Sequence, residues 1–316
     1  MSEFDLIKRH FTRATPGALL GVGDDAALLQ VSAGHVLAVS TDMLVSGTHF
    51  FPDADPFFLG YKTLAVNLSD MAAMGALPRW ATLALSLPQA DDAWLEQFSA
   101  GLFALAQQHG VELVGGDTTR GPLNLCVTIL GEVPPQQALW RSGAQPGDEI
   151  WLSGSVGDAA LALAHLQGRI RLPEAGFAAC APRLHQPKPR VALGLALRGL
   201  ATSAIDVSDG LLADLGHILD ASQVGAEIGL EAIPVSETLR SLPRAITQSC
   251  MLSGGDDYEL CFTVPAARRT EVERLSPQLD LALTRIGIIV AGRGCVVHDA
   301  AGNSLDTGVG GYDHFS

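Results

Sequence analysis

Apolar residues recur along the first half of the chain in two alternating rhythms. His35–Ser40 (HVLAVS) is a short apolar run of strand length. Asp55–Met74 changes to helical spacing. Leu59, Lys62, Val66, Ser69 and Ala73 fall on one side, and Gly75 and Pro78 close the segment. Ala81–Leu87 (ATLALSL) predicts a strand. Asp91 or Asp92 caps a predicted helix through Gln108, which Gly110 ends. Glu112–Val114 predicts a brief strand and Leu123–Val133 (LNLCVTILGEV) a longer one.

The pattern breaks near residues 134–147, where prolines, Gln136-Gln137 and the turn Pro146-Gly147-Asp148 mark a boundary. Beyond it, Glu149–Ser153 predicts a strand, Gly154–Gly157 a turn and Asp158–Gln167 a helix stopped by Gly168. Residues 171–190 read as loop and carry the local basic cluster His185-Gln186-Pro187-Lys188-Pro189-Arg190. A helix (Val191–Leu200), a strand (Ser203–Val207) and a helix (Leu211–Ala221) follow, with strands around Leu260–Val264 and Gly294–His298. This order predicts an α/β protein with mixed sheets in two domains, residues 1–137 and 148–316.

Composition sharpens this. A length of 316 residues exceeds what one ordinary core serves. With 47% apolar and 17% charged residues the chain is globular. Its apolar runs are too short to span a membrane, and MSEFDLIKRHF lacks the apolar core of a signal peptide, so a cytoplasmic location is the expectation. Cys126, Cys180, Cys250, Cys261 and Cys295 form no C-x-x-C pair and read as structural thiols. The net charge of −14 and the lack of a dense basic stripe argue against nucleic acid as the main partner. A small phosphorylated ligand stays compatible if metal ions come between it and the protein.

Candidate chemistry lies in six acidic segments: Gly23-Asp24-Asp25-Ala26, Ser40-Thr41-Asp42, Asp70 within NLSDMAAMG, Gly115–Gly121 (GGDTTRG), Ile205–Leu211 (IDVSDGL) and Ser253–Leu260 (SGGDDYEL). Singly, each has an ordinary explanation as a turn or helix cap. Asp70 is the most telling. It sits in an apolar helix with no basic residue at i±3 or i±4, and a buried unpaired carboxylate is costly. It therefore needs water, a cation or a remote basic partner. GGDTTRG reads as a binding loop. Mg²⁺ takes one or two carboxylates and completes its shell with water or phosphate oxygens, so several separate acidic segments predict several ions around a polyphosphate. The sequence holds no G-x-x-x-x-G-K-[ST], no complete dinucleotide glycine loop, no G-x-S-x-G and no H-E-x-x-H.

Taken together, GVGDDAAL, STDMLVSGTHF, YKTLAVNLSDMAAMGALP, VGGDTTRG, RSGAQPGD, IDVSDGLLADLGHI, SGGDDYELCFTV and GYDHF resemble the thiamine-monophosphate kinase family. That family lies within a superfamily shared with aminoimidazole ribonucleotide synthetase and selenophosphate synthetase. The resemblance implies a two-domain architecture, dimerisation through N-terminal domains that also bind ATP and Mg²⁺, and transfer of phosphoryl from ATP to thiamine monophosphate. Carried over by motif, Asp25, Ser40, Thr41, Asp42, Asp70, Asp117, Asp206 and Asp209 would hold several Mg²⁺ ions, with Asp24 behind them. Gly116, Asp117, Arg141 and Ser208 would contact ATP. His49, Asp256 and Tyr312 would contact thiamine monophosphate, and Asp42, Asp209 and Arg141 would matter most for catalysis. Position 256 is Asp where the family motif more often has Glu, which shortens its reach. His49 could also be a loop histidine satisfied by its neighbours, and Tyr312 a packing aromatic. The acceptor would be an already ionised phosphate that needs no general base. Two other readings are a different ATP-dependent synthetase of the superfamily and a non-catalytic Mg²⁺–nucleotide sensor. Selenophosphate synthetase fits poorly, because the first 60 residues contain no Cys.

Overall fold

The computed structural model describes residues 2–305. They divide into two compact units. One holds the chain up to Met71 together with Ala76–Gln136; the other holds Ala72–Gly75 and the chain from Gln137 onward.

The first unit begins with a helical turn, α1 (Glu3–Leu6), capped by the Ser2 side chain. Strand β1 (Val36–Val45), helix α2 (Pro56–Ala73), strand β2 (Leu77–Leu87), helix α3 (Asp92–His109) and strands β3 (Glu112–Arg120) and β4 (Asn124–Val133) follow. The sheet order is β1-β4-β2-β3. β4 is antiparallel to both neighbours, and β2 and β3 pair in parallel across the α3 crossover. Local chemistry sets the helix limits. Asp55 Oδ1 accepts the N–H groups of Phe57 and Phe58 at the start of α2, Asp91 caps α3, and Gly110 closes α3 at φ 65°. The stripe Leu59, Lys62, Val66, Ser69 and Ala73 is buried, among core residues that include Leu64, Leu68, Trp80, Phe98, Leu125 and Ile129.

Two expectations are corrected in this unit. Gly75 follows the end of α2 at φ 61°, but Pro78, expected to help close that segment, lies inside β2, at a register irregularity between Pro78 and Trp80 where proline's missing N–H is tolerated. GGDTTR is not a loop either. It continues β3 as an edge strand, with Gly115–Arg120 paired to Thr82–Leu87.

The second unit contains β5 (Asp148–Ser153), α4 (Asp158–Leu166), α5 (Glu174–His185), α6 (Val191–Ala196), β6 (Ser203–Asp206), α7 (Leu211–Ser222), β7 (Gly225–Gly229), α8 (Glu237–Arg240), α9 (Arg244–Ser253), β8 (Leu260–Pro265), α10 (Arg269–Leu279), β9 (Leu283–Val290), β10 (Gly294–His298) and β11 (Ser304–Leu305). Its sheet runs β11-β10-β7-β9-β5-β8-β6. One core cluster joins Ile150, Leu152, Ile205, Val207, Leu215, Ile218 and Cys261. A second joins Leu161, Ala162, Cys180, Leu184, Leu239 and Cys250. The segment expected to be loop around 171–190 forms α5 despite an internal Pro182, because Cys180 and Leu184 anchor it in that second cluster. All five cysteines are free thiols. Among the described residues no helix is long and apolar enough to cross a membrane.

Candidate active site

In the first unit the candidate residues are spread over several elements: Ser40, Thr41 and Asp42 lie on β1, Asp70 on α2, and Asp117 on β3 at the other edge of the sheet. Strand alternation puts Ser40 and Asp42 on one face of β1 and Thr41 on the other, where its hydroxyl lies 2.8 Å from Thr128 Oγ1 on β4. The Thr41 side chain therefore cannot join Ser40 and Asp42 around one ion. Ser40 Oγ donates to Asp70 Oδ2, so the carboxylate in the apolar helix meets a hydroxyl from β1. One turn back, Asn67 is fully buried; its Nδ2 donates to Thr63 O, while its Oδ1 has no hydrogen-bond partner. Asp24 Oδ1 accepts the N–H of Asp25, which ties Asp24 into the turn that presents the exposed Asp25. His49 Nδ1 accepts the Val45 N–H at 3.0 Å. A backbone N–H can only donate, so a neutral His49 carries its proton on Nε2.

Gly116 and Asp117 lie on β3 opposite Leu83 and Ala84. Gly116 has φ +147°, and a Cβ built there would sit 1.9 Å from Leu83 O. Only glycine lets the edge strand approach β2 so closely.

In the second unit two of the acidic segments form one structure. Asp206 is buried at the end of β6, and Ser208 and Asp209 form the turn into α7. The SGGDDYEL segment is laced to this turn: Asp256 N–H donates to Ser208 O, and Tyr258 N–H donates to Val207 O. Asp256 and Tyr258 both adopt left-handed backbone, φ 68° and 51°. The Tyr258 hydroxyl donates to Asp256 Oδ1 at 3.0 Å. Arg141 lies near the start of this unit; its carbonyl accepts from Ser222 Oγ. Tyr312 lies outside the described residues.

Behind these loops stand carboxylates that motif reading missed. Asp257 accepts the Gly157 N–H with both oxygens, and burial pushes its carboxyl well above the ordinary range. Glu259 is fully buried and accepts from Ser153 Oγ, Arg183 and Arg190. Asp214, in the first turn of α7, accepts the N–H groups of Ser208, Asp209 and Gly210. Burial pushes its carboxyl up to about 6, against the pull of those N–H bonds. The sequence signals for these were faint: an Asp five residues past the acidic turn, and arginines in and just after a segment that Pro182 makes read as loop.

Among the described residues no group of three or more His, Cys, Asp or Glu side chains is placed to hold a metal ion by itself. The donor set does fit Mg²⁺. It is all oxygen, hydroxyl and carboxylate, arranged in small groups such as Ser40 with Asp70, and Mg²⁺ takes few protein ligands alongside phosphate.

Comparison with known proteins places this architecture. Residues 23–133 match the family model of the AIR synthase related protein, N-terminal domain, and residues 145–300 match that of its C-terminal domain. The class is therefore a two-domain α/β protein of the AIR-synthase-related kind. The thiamine-monophosphate kinase of Escherichia coli (strain K12) is 50% identical over 321 residues, spanning 99% of this chain and 98% of that relative. The crystal structure of thiamine-monophosphate kinase from Stenotrophomonas maltophilia K279a superposes with a TM-score of 0.88 at 51% identity, covering 96% of this chain and 98% of its own. AaThiL complexed with AMPPCP and TMP superposes with a TM-score of 0.79 at 30% identity, covering 99% and 96%. The chain belongs to the thiamine-monophosphate kinase family.

Proposed function

We propose that this chain transfers the γ-phosphoryl group of ATP to the phosphate of thiamine monophosphate, yielding thiamine diphosphate and ADP. The observation that carries this reading is the 50% identity to a thiamine-monophosphate kinase over essentially the whole chain. A related structure complexed with AMPPCP and TMP supports both substrates. In this reading Gly116, Asp117, Arg141 and Ser208 bind ATP, while His49, Asp256 and Tyr312 bind thiamine monophosphate. Asp25, Ser40, Asp42, Asp70, Asp117, Asp206 and Asp209 hold Mg²⁺, and Thr41 adds only its main chain.

The chemical demand is to bring two anions into line. Two unit charges ~4 Å apart repel by ~4 kcal/mol at an effective dielectric of ~20. Bound Mg²⁺ would supply the charge neutralisation that this approach needs. The chain's own residues do the rest. His49 offers Nε2–H as a donor, Asp256 is held in place by the Tyr258 hydroxyl, and Arg141 adds a planar cation. The acceptor phosphate is already ionised, so catalysis rests on positioning.

The domains would be 1–137 and 148–316, and a reaction that consumes ATP calls for a cytoplasmic location. A homodimer through the N-terminal domains is supported by β1, an edge strand whose Leu37, Val39 and Met43 are 39%, 57% and 52% exposed. The test is ADP formation from ATP and Mg²⁺ with and without thiamine monophosphate. ADP release that depends on thiamine monophosphate supports the kinase. Nucleotide binding without turnover contradicts it and favours a sensor.

A further inference from the structure

Resting on the phosphoryl-transfer reading above, we propose that Asp214 is a positioning residue that converts the start of α7 from an anion cradle into a cation-facing turn. Three consecutive backbone N–H groups ahead of a helix form a nest that ordinarily attracts phosphate. In this fold the nest is filled from within. Ser208, Asp209 and Gly210 donate at 2.9, 3.0 and 3.1 Å to one atom, Asp214 Oδ2. Asp214 is 3% exposed, so these bonds are shielded from water.

The consequence is chemical. With those N–H groups turned onto Asp214 and the Ser208 carbonyl taken by Asp256 N–H, what the half-buried Ser208 and Asp209 offer a ligand is side-chain oxygen, a hydroxyl and a carboxylate. The carboxylate is a ligand for a hard cation and repels a bare phosphate, while the hydroxyl can serve either. Asp214 also stores negative charge directly behind Asp209, which strengthens the preference for a cation in front of it. A phosphate reaching this turn would therefore do so through a metal ion or the Ser208 hydroxyl, and not through main-chain N–H groups.

The test begins with the unaltered protein, free of nucleotide. Amide resonances of Ser208–Gly210 are followed while inorganic phosphate, and separately Mg²⁺, is added. The proposal expects Mg²⁺ to move them and phosphate alone to leave them in place; a phosphate-induced shift without Mg²⁺ overturns it. The near-isosteric D214N keeps one acceptor oxygen but loses the charge. It is expected to speed amide exchange across 208–210 and to raise the Mg²⁺ concentration for half-maximal activity about fivefold or more, with a smaller change in kcat at saturating Mg²⁺. Faster exchange with an unchanged Mg²⁺ requirement overturns the positioning role. The resonance and exchange measurements need no catalysis, so they stand apart from the outcome of the kinase assay.

Discussion

Replacing Glu259 with Gln isolates the buried charge hub beneath the SGGDDYEL segment. The carboxylate receives Arg183 Nη2 at 2.6 Å, Arg190 Nε and Nη2 at 2.6 and 2.5 Å, and Ser153 Oγ at 2.5 Å. Ser153 in turn accepts the Leu260 N–H, so the network reaches the strand that follows Asp256. Glutamine has the same shape but one acceptor oxygen and no charge, which leaves two guanidinium groups facing an amide. Removing one partner of a buried pair costs roughly 3–5 kcal/mol. The arginine side chains retain 20% and 15% exposure, and water recovers part of that loss, so the low end applies, about 3 kcal/mol. At roughly 2–4 °C per kcal/mol for a unit of this size, Tm falls by roughly 6–12 °C. Thermal unfolding followed by calorimetry and near-UV dichroism reads this directly. A fall of less than about 2 °C refutes the reasoning, since it means that the arginines are solvated well enough to do without Glu259.

Other outcomes follow from single residues. Gly116→Ala places a Cβ against Leu83 O at a φ that disfavours side chains. It should destabilise the first unit by about 1–3 kcal/mol and raise the KM for ATP; unchanged Tm and KM contradict the strand placement. Asp42→Ala and Asp209→Ala should cut turnover by roughly a hundredfold or more, about 2.7 kcal/mol of barrier, with little change in Tm; an active Asp42→Ala enzyme at ordinary Mg²⁺ contradicts the assignment. Burial raises the Asp158 carboxyl, opposed in part by its bond from Ser236. The folded protein then holds that proton more tightly than the unfolded chain. The contribution to stability falls as pH rises from about 4 through the raised value. Asp158→Asn removes that slope, so its Tm relative to the parent should improve from about pH 4 through the raised value and then level off; a constant offset contradicts this.

The sequence carried the elements whose signals are local. Asp55, Asp91 and Gly110 announced the ends of α2 and α3, and 3.6-residue spacing identified the buried stripe of α2. What it did not carry depends on distant partners. GGDTTR has the composition of a loop, yet β2 pairs with it and draws it out as an edge strand. Pro182 argues against a helix locally, but tertiary burial of Cys180 and Leu184 overrides that cost. At the site, the acidic motifs showed which carboxylates to examine but not which face each occupies. Ser40 and Thr41 are adjacent in sequence and opposite on β1. Asp214, Asp257 and Glu259 were passed over because their partners lie on other segments or, for Asp214, in the preceding turn.

The central claim is tested most directly by following the γ-phosphoryl group. The purified protein is incubated with ATP labelled at the γ-phosphorus, Mg²⁺ and thiamine monophosphate, and the products are separated. The account predicts label in the terminal phosphate of thiamine diphosphate, in equal amount to the ADP formed. Label released as inorganic phosphate, or retained in ATP despite bound thiamine monophosphate, contradicts it.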